Sequence, residues 1–85
     1  QWLLLDTLGW VQFRNDRIED SLANLEKAAK LVSPNPLPAE VQYHLGAVYA
    51  QLGRVAEAKT QLSVAVQSPS PFPGIEEARR LLQGL

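Results

Sequence analysis

The chain has 85 residues, 46% hydrophobic and 20% charged, which is typical of one small globular domain and excludes a disordered segment. Eight basic and nine acidic residues give a formal charge of −1, so no broad positive field is available for nucleic acid or an anionic membrane. The absence of cysteine excludes disulfides and thiolate metal sites and is compatible with any compartment, so the localisation stays unknown.

The first predicted helix covers residues 2–14, which contain no proline and carry apolar side chains on every side. A helix of this kind is usually buried on more than one side. The second predicted helix, at about residues 17–32, has its apolar residues on one side only. We expect Asp16 to cap the start of this second helix, with Glu19 completing a capping box.

Proline-rich segments separate the remaining predicted elements. Residues 33–38, SPNPLP, end the second helix, and a third helix then runs to about Leu52. Gly53 is placed to supply the positive φ that ends a helix, and a fourth helix follows at about residues 54–67. After SPSPFP, the last segment shows leucines at helical spacing, which predicts a fifth helix that caps the domain at about residues 74–84.

The chain contains an internal repeat with an offset of 37 residues. Leu8 and Gly9 return as Leu45 and Gly46. The same offset relates Ile18 to Val55, Leu25 to Leu62, and Ala28 to Ala65. Such a period indicates stacked supersecondary units, each unable to bury its apolar side alone.

Residue size at the repeated positions predicts how the helices pack. Glycine and alanine let two helix backbones approach closely, and larger side chains fill the space beside each crossing. We expect helix backbones to approach closely at Gly9, Gly46, Ala28, Ala58 and Ala65. We expect the space beside these crossings to be filled by Leu8, Leu25, Leu45 and Leu62.

This pattern resembles the tetratricopeptide repeat family, in a form similar to bacterial repeat proteins. The second copy carries the family's positions at Leu45, Gly46, Tyr49, Gly53, Ala58, Leu62 and Ala65. The first copy keeps Leu8, Gly9, Ala28 and Pro34, but has Gln12, Asp16 and Ser21 where the family has tyrosine, glycine and alanine.

The resemblance implies an all-α fold, a right-handed α-solenoid of two antiparallel helix pairs plus a capping helix. Residues 1–85 would form a single domain, with repeat 1 at about 2–35, repeat 2 at about 39–72 and the capping helix at about 74–84. Because residue 1 is not methionine, we expect the chain to be a fragment of a longer protein.

The sequence offers little catalytic chemistry. His44 with Asp6 is the only conceivable acid–base pair, and no nucleophile accompanies it. We therefore expect no enzyme activity, no cofactor and no metal. Aromatic residues interleaved with Arg14 and Arg17 could stack on nucleic acid, but without surplus positive charge a peptide groove is favoured.

In the resembling family, the first helix of each pair lines a concave surface that binds partner proteins or peptides. The corresponding residues here are Leu3, Asp6, Trp10, Phe13 and Arg14 in the first copy, and Glu40, Tyr43, Ala47, Ala50 and Gln51 in the second. The lysine, asparagine and arginine with which one subclass binds a peptide carboxylate are missing, so an apolar or extended peptide is favoured. Alternatively, Trp10 and Phe13 pack against neighbouring repeats.

A structural role is the second interpretation. The segment would then stack or self-associate at the end of a longer array, and residues 2–5 could pair two chains into a homodimer. The sequence is weakly similar to scaffolds of bacterial envelope and polysaccharide-export machinery. No run of apolar residues is long enough to predict insertion into a membrane.

Overall fold

A computed structural model describes all 85 residues and contains five α-helices and no strand, which confirms the all-α class. The helices are α1 (Trp2–Arg14), α2 (Ile18–Val32), α3 (Ala39–Gln51), α4 (Val55–Ala65) and α5 (Ile75–Gly84). The boundaries predicted from the sequence differ from these by two residues at most. None of the five helices has the length and apolar character that crossing a membrane requires.

The turn between α1 and α2 has the same backbone hydrogen bonds as the turn between α3 and α4. The amide of Arg17 donates to the carbonyl of Gln12 at 2.8 Å, and 37 residues later the amide of Arg54 donates to the carbonyl of Tyr49 at 2.9 Å. The repeat in the sequence is therefore also a repeat in local geometry.

Asp16 occupies the left-handed position in the first of these turns. Its φ is 63°, and the corresponding Gly53 has a φ of 77°. The positive φ predicted for Gly53 is confirmed, but the prediction that Asp16 caps α2 is wrong. Arg17 directly precedes α2, and no side chain caps that helix, so Glu19 completes no capping box. Aspartate tolerates the left-handed conformation better than most residues, which explains how it replaces glycine here.

Both helix pairs are held by a close approach between a glycine and a buried leucine. A Cβ placed on Gly46 would lie 2.6 Å from Cγ of Leu62, and a Cβ on Gly9 would lie 2.8 Å from Cγ of Leu25. Both leucines are fully buried. The predicted close approach at these two glycines is therefore present in each pair.

Leu8 does not fill an interhelical space, contrary to expectation. Its side chain is 46% exposed, whereas its repeat equivalent Leu45 is 2% exposed. The reason is that α2 packs against α3 and contributes to the cluster around Leu45, while no helix packs on the corresponding side of α1.

Helix α3 is the central element, because it contacts all four other helices. One apolar cluster joins α3 to α2 and α4, and it contains Leu25, Val41, Leu45, Val48, Tyr49 and Ala58. A second cluster joins α3 to α4 and α5, and it contains Tyr43, Ala47, Leu62, Ala65 and Ala78. Burial on nearly every side of α3 fixes where its polar side chains can point.

We expect Gly46→Leu to destabilise the domain by ~1–3 kcal/mol, because the added side chain overlaps the buried Leu62. Thermal unfolding measures the loss, which corresponds to a fall in Tm of roughly 4–8 °C per kcal/mol for a domain of this size. Gly84→Leu is the matched control, since a Cβ there meets nothing within 4 Å. Equal melting temperatures for the two variants would contradict the packing described.

A second prediction concerns Tyr49, which links α3 to α2. Its hydroxyl donates to Oε2 of Glu26 at 3.0 Å, and burial followed by this bond raises the pKa of Tyr49 to about 12. An unfolded chain loses the phenolic proton near pH ~10. The unfolding free energy should therefore fall as the pH rises from 10 towards 12, because only the native state keeps the proton.

Denaturant unfolding at pH 9 and pH 11 measures this fall. Tyr49→Phe should show a smaller fall than the native chain, since Tyr43 is then the only tyrosine with a raised pKa. Glu26→Gln removes the negative charge that faces the hydroxyl, so absorbance at 295 nm should show the phenol titrating at lower pH. An unchanged titration in Glu26→Gln would contradict the link between the two side chains.

A candidate ligand cavity between three helices

An open cavity of about 380 Å³ lies beside α3, between α1 and α5. Each helix contributes residues at helical spacing, so that they share one face of that helix. The lining consists of Trp10, Phe13 and Arg14 from α1, Tyr43, Ala47, Ala50 and Gln51 from α3, and Glu77 and Leu81 from α5. Six of these nine residues are hydrophobic, so the cavity suits an apolar group.

The space in the cavity comes from the small side chains of α3. Ala47 and Ala50 lie one turn apart on the side of α3 that faces the cavity, and neither reaches far from its helix. Trp10 and Phe13 line it from α1, and Leu81 lines it from α5. Larger residues at the two alanines would fill the cavity.

Trp10 lies at the centre of an aromatic cluster. Its ring is nearly parallel to those of Phe13 and His44, with centroids 5.0 and 4.1 Å away, and Tyr43 lies 5.2 Å away in a tilted arrangement. Tyr43 in turn contacts Phe72, at 6.2 Å between centroids. Aromatic pairs at these separations stabilise one another beyond their burial. The cluster therefore gives the cavity an aromatic wall, formed by Trp10, Phe13 and Tyr43.

His44 and Asp6 form a buried hydrogen-bonded pair beside this wall. Nδ1 of His44 lies 2.8 Å from Oδ1 of Asp6, and the two residues are 4% and 5% exposed. No other side-chain hydrogen bond joins α1 to α3. Because buried polar groups require partners, the pair fixes the ring of His44 on which Trp10 stacks.

Gly74 positions α5 against the cavity. Its φ of 93° suits glycine, and a Cβ at this position would overlap the ring of Tyr43. The start of α5 therefore packs directly on Tyr43. Burial raises the pKa of Tyr43, and the carboxylate of Glu77 raises it further, while Arg14 and Arg80 act in the opposite direction.

Arg14 is the arginine of this chain that has no acidic partner. The other four each pair with a carboxylate three residues away, in the pairs Arg17–Asp20, Arg54–Glu57, Arg79–Glu76 and Arg80–Glu77. Arg14 is exposed and lines the cavity. It therefore offers an unpaired cation beside an apolar space.

Seven of the ten residues predicted to bind a partner line this cavity, and three do not. Asp6 is buried against His44 and offers nothing to a ligand. Leu3 is 58% exposed but lies outside the cavity, and the half-buried Glu40 also lies outside the lining.

Glu77 and Leu81 also line the cavity, although neither was predicted from the sequence to bind a partner. Their spacing of four residues on an amphipathic helix is visible in the sequence, but it shows only that they share a face. Whether that face packs beside α3 depends on the approach of Gly74 to Tyr43, which no local pattern reveals.

Arg17 lies away from the aromatic residues with which it is interleaved in the sequence. Its guanidinium pairs with Asp20 at 2.7 Å on the surface, and it does not line the cavity. Of the two arginines that suggested base stacking, only Arg14 lies beside the aromatic cluster.

The chain was compared with protein-family models, with curated proteins and with solved structures, and no match was found. The structure alone therefore gives its fold class, which is an all-α domain of five helices with an open, aromatic-walled cavity.

We expect Asp6→Ala to destabilise the domain by ~1–3 kcal/mol, because it leaves the buried Nδ1 of His44 without its partner. Asp6→Asn should cost less, since the amide oxygen can still accept a hydrogen bond. Chemical denaturation gives both values. If alanine and asparagine have the same small effect, the pair does not hold α1 against α3.

Proposed function

We propose that residues 1–85 form two stacked units of the tetratricopeptide type, closed by α5, and that the cavity binds a partner peptide or protein. The units would be residues 2–35 and 39–72, arranged as the start of a right-handed solenoid. Support comes from two features that recur after 37 residues, the turn that joins each helix pair and the approach of a glycine to a buried leucine.

The observation that carries the binding proposal is the open, mostly apolar cavity with an aromatic wall. Its volume of about 380 Å³ lies in the lower part of the range of ~300–1,000 Å³ typical of ligand clefts. A cavity of this size suits one or two side chains of an extended peptide. Binding there would bury apolar surface on Trp10, Phe13 and Leu81, which is the main source of affinity at such sites.

The proposal includes no catalytic step. The only side chain that bonds His44 is the carboxylate of Asp6, and no hydroxyl lies within hydrogen-bond distance of the imidazole. One face of the histidine ring stacks on Trp10. A domain that holds a partner, with Arg14 and Gln51 at the cavity as polar contacts, accounts for the site without a reaction.

Selection from a peptide-display library, followed by titration of the enriched synthetic peptides, tests the proposal. In a Trp2→Phe background Trp10 is the only indole, so binding should change its fluorescence. Ala50→Leu fills the cavity and should weaken binding at least tenfold, or ~1.4 kcal/mol. Ala23→Leu is the matched control, because Ala23 is exposed on α2 and outside the cavity. Equal affinities for both variants would place any binding elsewhere.

A further inference from the structure

The cavity is lined by equivalent positions of the two copies, but these positions carry different chemistry. Arg14 is the last residue of α1, and Gln51, which lies 37 residues later, is the last residue of α3. Phe13 and Ala50 are related by the same offset. All four line the cavity. The repeat thus places an aromatic ring and a cation on α1 where α3 has a small residue and an amide.

The charges at the cavity leave an excess of one cation. Glu77 is the other charged residue of the lining, and its carboxylate accepts hydrogen bonds from Nη2 and Nε of Arg80 at 2.7 and 3.2 Å. Arg14 has no such partner. Two cations and one carboxylate leave one net positive charge. An occupant that brings a carboxylate complements this site, whereas one that brings an ammonium group is repelled.

Two further carboxylates belong to this part of the fold, and neither forms an ion pair with Arg14. Asp6 is buried against His44. Glu40 lies outside the lining, eleven residues before Gln51 on α3, which is ~16 Å along the helix axis at ~1.5 Å per residue. The chain therefore supplies no counter-charge to Arg14, and the occupant can supply it.

The position of Arg14 beside the aromatic wall sets the spacing of groups on the occupant. Arg14 follows Phe13 directly and lies about one helical turn, ~5.4 Å, from Trp10. In an extended peptide, every second side chain points to the same side, and two such residues are ~6.6 Å apart. The residue between them points away. A side chain that fills the cavity and a carboxylate that meets Arg14 should therefore lie two residues apart.

We propose that the cavity takes an extended peptide in which an aspartate or glutamate lies two residues from a large apolar residue. The apolar side chain packs on Trp10, Phe13 and Leu81, and the guanidinium of Arg14 binds the carboxylate, with geometry that suits both oxygens. An acidic side chain is favoured over a chain end, because the residues that hold a chain end in the resembling subclass are missing. This inference rests on the proposed peptide-binding function and adds the charge of the partner.

Arg14 also acts within the free domain, since a cation in the last turn of a helix stabilises that turn. A control must therefore remove the same kind of charge elsewhere. Lys30 lies in the last turn of α2, exposed and outside the cavity. Arg14→Gln and Lys30→Gln each remove one cation from a helix C-terminus, but only Arg14→Gln changes the charge at the cavity.

Selection from a random peptide-display library on three baits tests the proposal: the native chain, Arg14→Gln and Lys30→Gln. Peptides enriched on the native chain should carry an acidic residue two positions from a large apolar residue more often than one position away. Lys30→Gln should enrich the same pattern. Arg14→Gln should keep the apolar residue and lose the acidic preference, because its aromatic wall is unchanged.

Titration of one enriched peptide gives the size of the effect. The synthetic peptide lacks tryptophan and has both ends blocked, and Trp10 fluorescence in the Trp2→Phe background reports binding. Replacing its acidic residue by the corresponding amide should weaken binding roughly threefold to fivefold, as expected for an accessible ion pair. The difference should shrink at about 1 M salt, where the screening length is ~3 Å. On Arg14→Gln, the acid and amide peptides should bind equally.

The outcomes separate this inference from the binding function itself. Peptides that lose affinity for Ala50→Leu but show no acidic preference would overturn the inference and leave the binding function intact. A preference for basic residues, binding only by a peptide with a free terminal carboxylate, or an acidic preference that persists on Arg14→Gln would also overturn it. If no bait enriches any peptide, the binding function and the inference both fail.

Discussion

The fold depends on the contact between a helix backbone that lacks a Cβ and a buried leucine of the next helix. Gly9 receives Leu25 in the first pair, and Gly46 receives Leu62 in the second. Because nothing larger than hydrogen stands on the glycine, each leucine reaches the backbone itself, and this contact recurs in both pairs. The remaining helix, α5, and the cavity are arranged around these two pairs.

The cavity depends on much weaker connections than the pairs do. Helix α1 meets α3 through the bond between Asp6 and His44 and through the stacking of Trp10 on the same histidine. A buried polar bond is directional, so it fixes orientation where apolar packing alone would leave alternatives. The aromatic wall therefore depends on one pair of residues that do not touch the ligand space themselves.

Helix α1 has different chemistry on its different sides. One side contributes aromatic side chains and Arg14 to the cavity, another packs Gly9 on α2, and the outer side exposes Leu4, Leu8 and Val11. This explains why its sequence is apolar all round although it lies at the edge of the structure. Burial on several sides is not the cause. Two of its sides pack on α2 and α3, and the outer side is exposed.

The sequence by itself determined the five helices, their pairing and the repeat, because periodicity, proline and glycine act within a few residues of their own position. The family resemblance also predicted that Trp10 and Tyr43 share one surface, and both line the cavity. Only the tertiary structure decided that Asp6 lies buried against His44 and that Leu8 stays exposed. The burial of Asp6 and the exposure of Leu8 both depend on which helices pack against each other. Contacts between segments some 38 residues apart determine that packing, and no local sequence pattern contains them.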